Sequence, residues 1–208
     1  MTLGSLSIGC VLALSFAGCN RHVPDKMSFF VTSVPAGSGG TIRGLAGADA
    51  NCQRLAESAG ASGKTWRAYL SAPATDSAAP VHARDRIGRG PWFNSRGVQI
   101  AASLEDLHGA GNQIGRNTAL IETGEAVRFL PHDMLTGSNK DGTLADGDST
   151  CRGWKSTVGF AVLGHSDKVG SVGQDSNSWN SAHLSKGCTA EAFRETGGNG
   201  LYYCFAVD

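Results

Sequence analysis

The sequence predicts an α+β domain of short helices, short strands and long loops, and three observations carry that expectation. Between residues 39 and 71 a stretch of helical periodicity is followed at once by one of period two. β-prone runs stand near both ends, at residues 28–33 and 200–208. Glycine reaches 29 of 208 residues while charged residues make up 17%, a balance that favours turns and irregular loops over long helices. With 40% hydrophobic residues the chain is able to bury one substantial core, and nothing forces a second domain. Lys plus Arg equals Asp plus Glu at 18 each, so the mean field attracts neither nucleic acid nor an anionic membrane surface.

In chain order, residues 28–33, SFFVTS, read as a first strand at a sheet edge or beside the last strand. Ala48, Cys52, Leu55 and Ala59 recur at the i, i+4, i+7, i+11 spacing of one helical face. Asp49 is expected to cap that helix near its start, and Gly60 to close it in the left-handed conformation. In residues 65–70, TWRAYL, the residues Trp66, Ala68 and Leu70 alternate with Arg67 and Tyr69, the pattern of a half-buried strand. The Pro/Ala/Ser segment 71–80 crosses the surface. Ser103 caps a second short helix over 103–108, with Asp106 at its third position and Leu104 and Leu107 inward. Residues 119–130 read as a hairpin turning at Thr123, Gly124 and Glu125. Residues 151–154 and 159–163 read as paired strands, the second apolar on both faces and therefore central. In residues 200–208, Leu201, Tyr203, Phe205 and Val207 alternate with Tyr202, Cys204 and Ala206, a terminal strand.

Residues 3–17 form an apolar run too short to span a bilayer comfortably, ending at Phe16, Ala17, Gly18 and Cys19. Small residues before a cysteine mark a bacterial lipoprotein signal. On that reading residues 1–18 are removed, Cys19 carries the lipid, residues 19–27 are a tether and residues 28–208 the domain. No Lys or Arg precedes the apolar run, and Phe16 stands where Leu is usual. The alternative is an ordinary signal peptide with an incidental cysteine. The expected location is the cell envelope, as an outer-membrane or cell-surface lipoprotein held to the membrane by its anchor, with a secreted or periplasmic protein as the alternative. Cys52, Cys151, Cys188 and Cys204 remain, an even number in an exported chain, which reads as two disulfides in one of three connectivities. A four-cysteine zinc site is disfavoured, because no pair has the close spacing of zinc knuckles.

The run GGTIRGLAGADANCQRLAESAG followed by TWRAYLS, then ARDRI at 83–87, STCRGW at 149–154 and the terminal LYYCFAVD together resemble the endostatin domain of collagens. That domain is a variant of the C-type lectin-like fold, and the likeness is also seen in bacterial lipoproteins. The resemblance implies a mixed, mostly antiparallel sheet with two short helices and long loops. It also selects the nested connectivity, Cys52 with Cys204 and Cys151 with Cys188. Chain-entropy arithmetic puts those closures at roughly 5 and about 4 kcal/mol as upper values, large against the ~5–15 kcal/mol net stability of a domain. The zinc ligands of endostatin lie largely at its free amino end as closely spaced histidines. Only His22 precedes the first strand here, so that site does not carry over.

Several segments offer chemistry. Arg84, Arg86, Arg89 and Arg96 surround Trp92 and Phe93, which suits a sulfated or carboxylated glycan; the resemblance adds that endostatin domains bind heparin through arginines. The alternative is internal pairing of Arg84, Asp85 and Arg86 with Trp92 in the core. The resemblance implies that the long loop region of a C-type lectin-like fold can hold calcium, with Asp133, Asn139, Asp141, Asp146 or Asp148 supplying oxygens, although Asp, Asn and Gly are also what solvated turns select. The sugar-reading tripeptides of calcium lectins, Glu-Pro-Asn and Gln-Pro-Asp, are absent. Trp179, Asn180 and His183 form a further polar and aromatic cluster. A hydrolase would combine Ser181 or Ser166 with His165 or His183 and Asp133 or Asp167, without a nucleophile elbow around either serine. A zinc site is drawn from His132, Asp133, His165 and His183. The expectation is a non-enzymatic binding protein for a glycan or matrix-like polymer through the Arg84, Arg86, Arg89, Trp92, Arg96, Trp179, Asn180 and His183 surface. A structural envelope protein is the first alternative, and a hydrolase or zinc enzyme using His165 and His183 the second.

Overall fold

The computed structural model describes residues 24–127, 131–169 and 177–208. The leader, Cys10, Cys19, His22 and the far end of the expected 119–130 hairpin lie outside them. Among the described residues no helix is long and apolar enough to cross a membrane.

The fold is α+β, centred on the last strand. Strands β1 (Phe29–Val31), β2 (Trp66–Ala68), β3 (Trp92–Phe93), β4 (Gln99–Ala101), β5 (Asp133–Leu135), β6 (Val162–His165), β7 (His183–Leu184) and β8 (Gly198–Ala206) alternate with helices α1 (Gly44–Ser58), α2 (Leu104–His108), α3 (Cys151–Trp154) and α4 (Ala190–Arg194). β8 pairs antiparallel with β1 on one edge. On its other edge it pairs with β5, parallel, over its first half and with β2, antiparallel, over its second. β6 and β7 extend the sheet outward from β5, both antiparallel, and β3–β4 form a separate hairpin.

The period-two alternation of the terminal strand places its residues in two cores. Tyr202, Cys204 and Ala206 join Phe30, Trp66, Ala68 and the α1 residues Ala48, Cys52 and Leu55 on one face. Leu201, Tyr203 and Phe205 join Phe29, Val31, Tyr69, Trp92 and Met134 on the other. The Cys52–Cys204 bridge therefore crosses the α1–β8 contact, and Cys151–Cys188 closes the segment that carries β6 and β7.

Several expectations are corrected by packing. α1 begins at Gly44, more than a turn before Asp49, and its N-cap residue Arg43, on left-handed backbone, supplies no side-chain cap. Asp49 instead accepts from Ala68 N at 2.9 Å and pairs with Arg86 at 2.7 Å, fastening helix to strand. Residues 151–154 are not a strand: after Thr150 bridges Ala161, the backbone enters the left-handed region at Cys151, Arg152, Gly153 and Trp154. Phe160 stands half exposed rather than central. The Ser103 cap forms as expected, its Oγ accepting from Asp106 N.

Candidate metal centre

β5 lies inside the sheet between β8 and β6, so the carboxylate of Asp133, at its first position, is 1% exposed. Register assembles histidines around it. Asp133 stands directly opposite His165, and Leu163, two residues along β6, stands opposite His183. Directly paired residues share a face, as do residues two apart, so Asp133, His165 and His183 project together. His132 would point away in a regular strand. Here the β5–β8 register shifts between Asp133 and Met134, and both His132 N and Asp133 N donate to the single carbonyl of Gly197, at 2.9 and 3.3 Å. Such an irregularity re-aims side chains, and consecutive residues thereby reach one point. Gly197, with φ of 100°, allows it: a Cβ there would sit 3.1 Å from His132 Nε2.

The three imidazoles converge through Nε2. His132 Nε2 and His165 Nε2 each lie 3.3 Å from Asp133 Oδ1, and His183 Nε2 lies 3.5 Å from Oδ2. These are ion-pair separations without hydrogen-bonding geometry, since both Asp133 oxygens and both His165 nitrogens are buried without a hydrogen-bond partner. Their length is informative. Zinc binds imidazole nitrogen and carboxylate oxygen at about 2.0–2.2 Å, and neighbouring vertices of a tetrahedron of that radius are about 3.4 Å apart. Ligand atoms of His132, Asp133 and His165 all lie within 4.8 Å of one another, while His183 approaches from the Oδ2 side.

Proton positions point the same way. His132 Nδ1 is 3.1 Å from Asp167 Oδ1, and His183 Nδ1 is 3.0 Å from the Leu184 carbonyl. Each contact assigns the ring proton to Nδ1 and leaves a lone pair on Nε2, facing an anion. A cation between them would meet these lone pairs and the carboxylate together. Burial works against ionisation of Asp133, but the His165 and His183 imidazoles beside it, with the charge of His183 and His132, outweigh it and hold its carboxyl at about 2. The same carboxylate raises the pKa of His183. The His132 and His165 rings stack at 4.5 Å and 16°. His132 and His183 side chains are 24% and 25% exposed, so the site opens to solvent on one side.

The other candidate groups lie elsewhere. Asp141 Oδ1 accepts from Thr143 N and Oγ1, Asn139 donates to Thr143 and Leu144, and Asp148 Oδ1 accepts from Arg152 N. These are turn and cap bonds, and Asp146 is exposed. Among the described residues only His132, Asp133 and His165 form a metal-capable group, so Asp133 belongs with histidines rather than with the acidic loop. Arg86 is buried against Asp49 and the Ala68 carbonyl. Arg84 and Arg96 donate to the carbonyls of Asp141 and Gly124, and Arg89 is exposed. Trp92, Trp179 and Asn180 are 1%, 3% and 1% exposed, interior groups rather than a sugar-stacking surface. Ser166 Oγ donates to the His132 carbonyl, and among the described residues neither Ser166 nor Ser181 bonds a histidine side chain. Asp167, the partner of His132, enters the site as an orienting group.

No family model matches the chain, and no curated protein matches it significantly.

Proposed function

We propose that the protein is a non-enzymatic metal-binding module that works outside the cytoplasm and holds one zinc ion through His132, Asp133, His165 and His183. The observation that carries this reading is the buried Asp133 carboxylate, without a hydrogen bond, ringed by three Nε2 atoms at 3.3–3.5 Å. Mixed imidazole and carboxylate donors suit zinc, copper or nickel and disfavour calcium, which prefers six to eight oxygens. Export is supported by the two disulfides, which persist in oxidising compartments. It agrees with the lipoprotein reading of residues 1–19. An endostatin-like variant of the C-type lectin-like fold is the finer architecture we favour. Its support is the pairing of the first and last strands and the bridge from α1 to β8.

A specific observation favours a second reading, a zinc hydrolase. The compact group counts three ligands, as catalytic zinc sites do, with His183 beyond it. The experiment that tests the first reading is equilibrium dialysis of the purified protein against zinc. One equivalent per chain is expected, lost in His165→Ala and retained in Asp141→Asn. Equal zinc uptake by wild type and His165→Ala would refute it. Ester or phosphoester turnover by the zinc-loaded protein, absent after His183→Ala, would favour the second.

A further inference from the structure

We propose that the Cys151–Cys188 disulfide controls the metal site: reducing this bridge weakens zinc binding, and bound zinc in turn protects the bridge from reduction. The inference rests on the zinc reading above and adds to it a means of regulation.

The coupling lies in one stretch of chain. His183, on β7, is the fourth proposed ligand, and the Gly197 carbonyl receives the His132 and Asp133 N–H groups whose shared acceptor re-aims those side chains. Cys188 stands between them in the chain, and its bridge to Cys151 fastens residues 183–197 to the turn at Cys151–Trp154. The other ligands lie on or beside β5 and β6, within the body of the sheet. Apart from the bridge, the stretch is held by short elements. β7 has two residues and ends the sheet, and α4 has five. Ser185 N donates to the Ala161 carbonyl at 2.8 Å and Ser185 Oγ accepts from Ala161 N at 2.9 Å. Gly40 N donates to the Cys188 carbonyl at 2.7 Å, and Phe193 anchors α4 in the core. The Lys186–Glu195 pair, 3.5 Å apart with both side chains exposed, adds little.

The Cys151 end of the bridge is strained. Cys151, Arg152, Gly153 and Trp154 follow one another on left-handed backbone, with φ of 50°, 55°, 68° and 67°. Each non-glycine residue there is held in an unfavourable conformation, which persists only where its surroundings impose it. Thr150 Oγ1 and Asp148 Oδ1 accept from Gly153 N and Arg152 N, and the Cys188 sulfur supplies a further restraint. Cutting the bridge lets the turn relax and frees the stretch that carries His183 and Gly197.

Reduction is a two-electron step. A dithiol breaks the S–S bond and becomes a disulfide itself, and two protons end on the Cys151 and Cys188 sulfurs. Both cysteines are buried, so a reductant reaches them when the stretch opens, and that opening draws His183 off the metal. Zinc held by all four ligands therefore opposes the reduction. The coupling is reciprocal: zinc bound about tenfold more weakly by the reduced protein corresponds to a bridge potential about 30 mV lower in saturating zinc. Cys52–Cys204 joins α1 to β8, neither of which supplies a proposed ligand, and it serves as the internal control.

The test measures zinc affinity by competition with a chromophoric chelator in wild type and in Cys151→Ser/Cys188→Ser, with circular dichroism to establish that the variant is folded. Binding at least about tenfold weaker is expected in the variant. A second measurement needs the wild type alone. The protein, in zinc or in EDTA, is treated with a water-soluble phosphine, which is oxidised to its phosphine oxide with oxygen from water, then alkylated and mapped by mass spectrometry. Cys151–Cys188 should open at least about tenfold more slowly in zinc, while Cys52–Cys204 stays intact in both conditions. Affinity within about threefold of wild type in the folded variant, equal opening rates in zinc and EDTA, or equal protection of both bridges overturns the inference and leaves the metal reading standing. A wild type that takes up no zinc overturns the metal reading itself, and the inference with it.

Discussion

Replacing Asp133 by Asn keeps the volume of the side chain and removes its charge, so it isolates what the carboxylate does for the metal. Asp133 Oδ1 lies 3.3 Å from both His132 and His165 Nε2, and it belongs to the only anion among the four proposed ligands. Loss of an outer-shell partner costs about 10–100-fold in metal affinity, so loss of this ligand is expected to cost on the order of 10³. At free zinc of about 1,000 times the wild-type Kd, zinc stabilises the wild type by about 4 kcal/mol. At about 2–4 °C per kcal/mol for a chain of this size, its Tm rises by about 8–16 °C over the chelated protein. The same zinc concentration then equals the Kd of Asp133→Asn, worth about 0.4 kcal/mol, or about 1–2 °C. The assay is differential scanning calorimetry in matched zinc and EDTA buffers. An equal zinc-induced shift in both proteins, or none in the wild type, would refute the reasoning.

Other consequences follow from the same contacts. Zinc competes with the proton that the Asp133 carboxylate favours on His183, so zinc affinity should fall as pH drops through and below neutrality, measured with a competing chelator from pH 8 to 5.5. In chelated protein, the Asp133 carboxyl is depressed from 3.8 to about 2, which corresponds to about 2 kcal/mol of stability. A depressed acid contributes this above its unfolded pKa and loses it as pH falls toward 2, so urea titrations at pH 5, 3.5 and 2 should show that loss in wild type but not in Asp133→Asn. Gly197→Ala forces a side chain onto left-handed backbone 3.1 Å from His132 Nε2, and zinc affinity in calorimetry should drop although every ligand remains. Arg86→Met removes the Asp49 pair and should lower stability by about 2–3 kcal/mol in denaturant titration.

What the sequence disclosed tracks the length of the pattern that encodes it. α1 spans fifteen residues and β8 nine, long enough for period 3.6 and period two to be read, whereas the pairing of the two cysteines on them was implied by the likeness to endostatin domains and not by the pattern. β5, with three residues, is too short for alternation to show, and Asp133 at its head looks like the start of a solvated loop. The β3–β4 hairpin was hidden for the same reason, with two and three residues to its strands. Trp92 was ambiguous because aromatic residues suit both cores and sugar faces; Trp179, expected on the ligand-binding surface, is instead claimed with it by the core on one face of the sheet. The proposed zinc ligands were nameable but not distinguishable from other histidine and aspartate sets. His132, His165 and His183 share no motif spacing, and only the strand register makes them neighbours. The adjacent His132–Asp133 pair and the following His165-Ser166-Asp167 run were the available signal, and their meaning depended on a register shift that local sequence does not encode.

X-ray absorption at the zinc edge, on protein loaded with one equivalent and passed through a desalting column, tests the central claim most directly. The account predicts retained zinc with about four nitrogen and oxygen neighbours at about 2.0–2.1 Å and the outer-shell scattering of imidazole rings. Loss of zinc on the column, or a shell containing sulfur at about 2.3 Å, would contradict it.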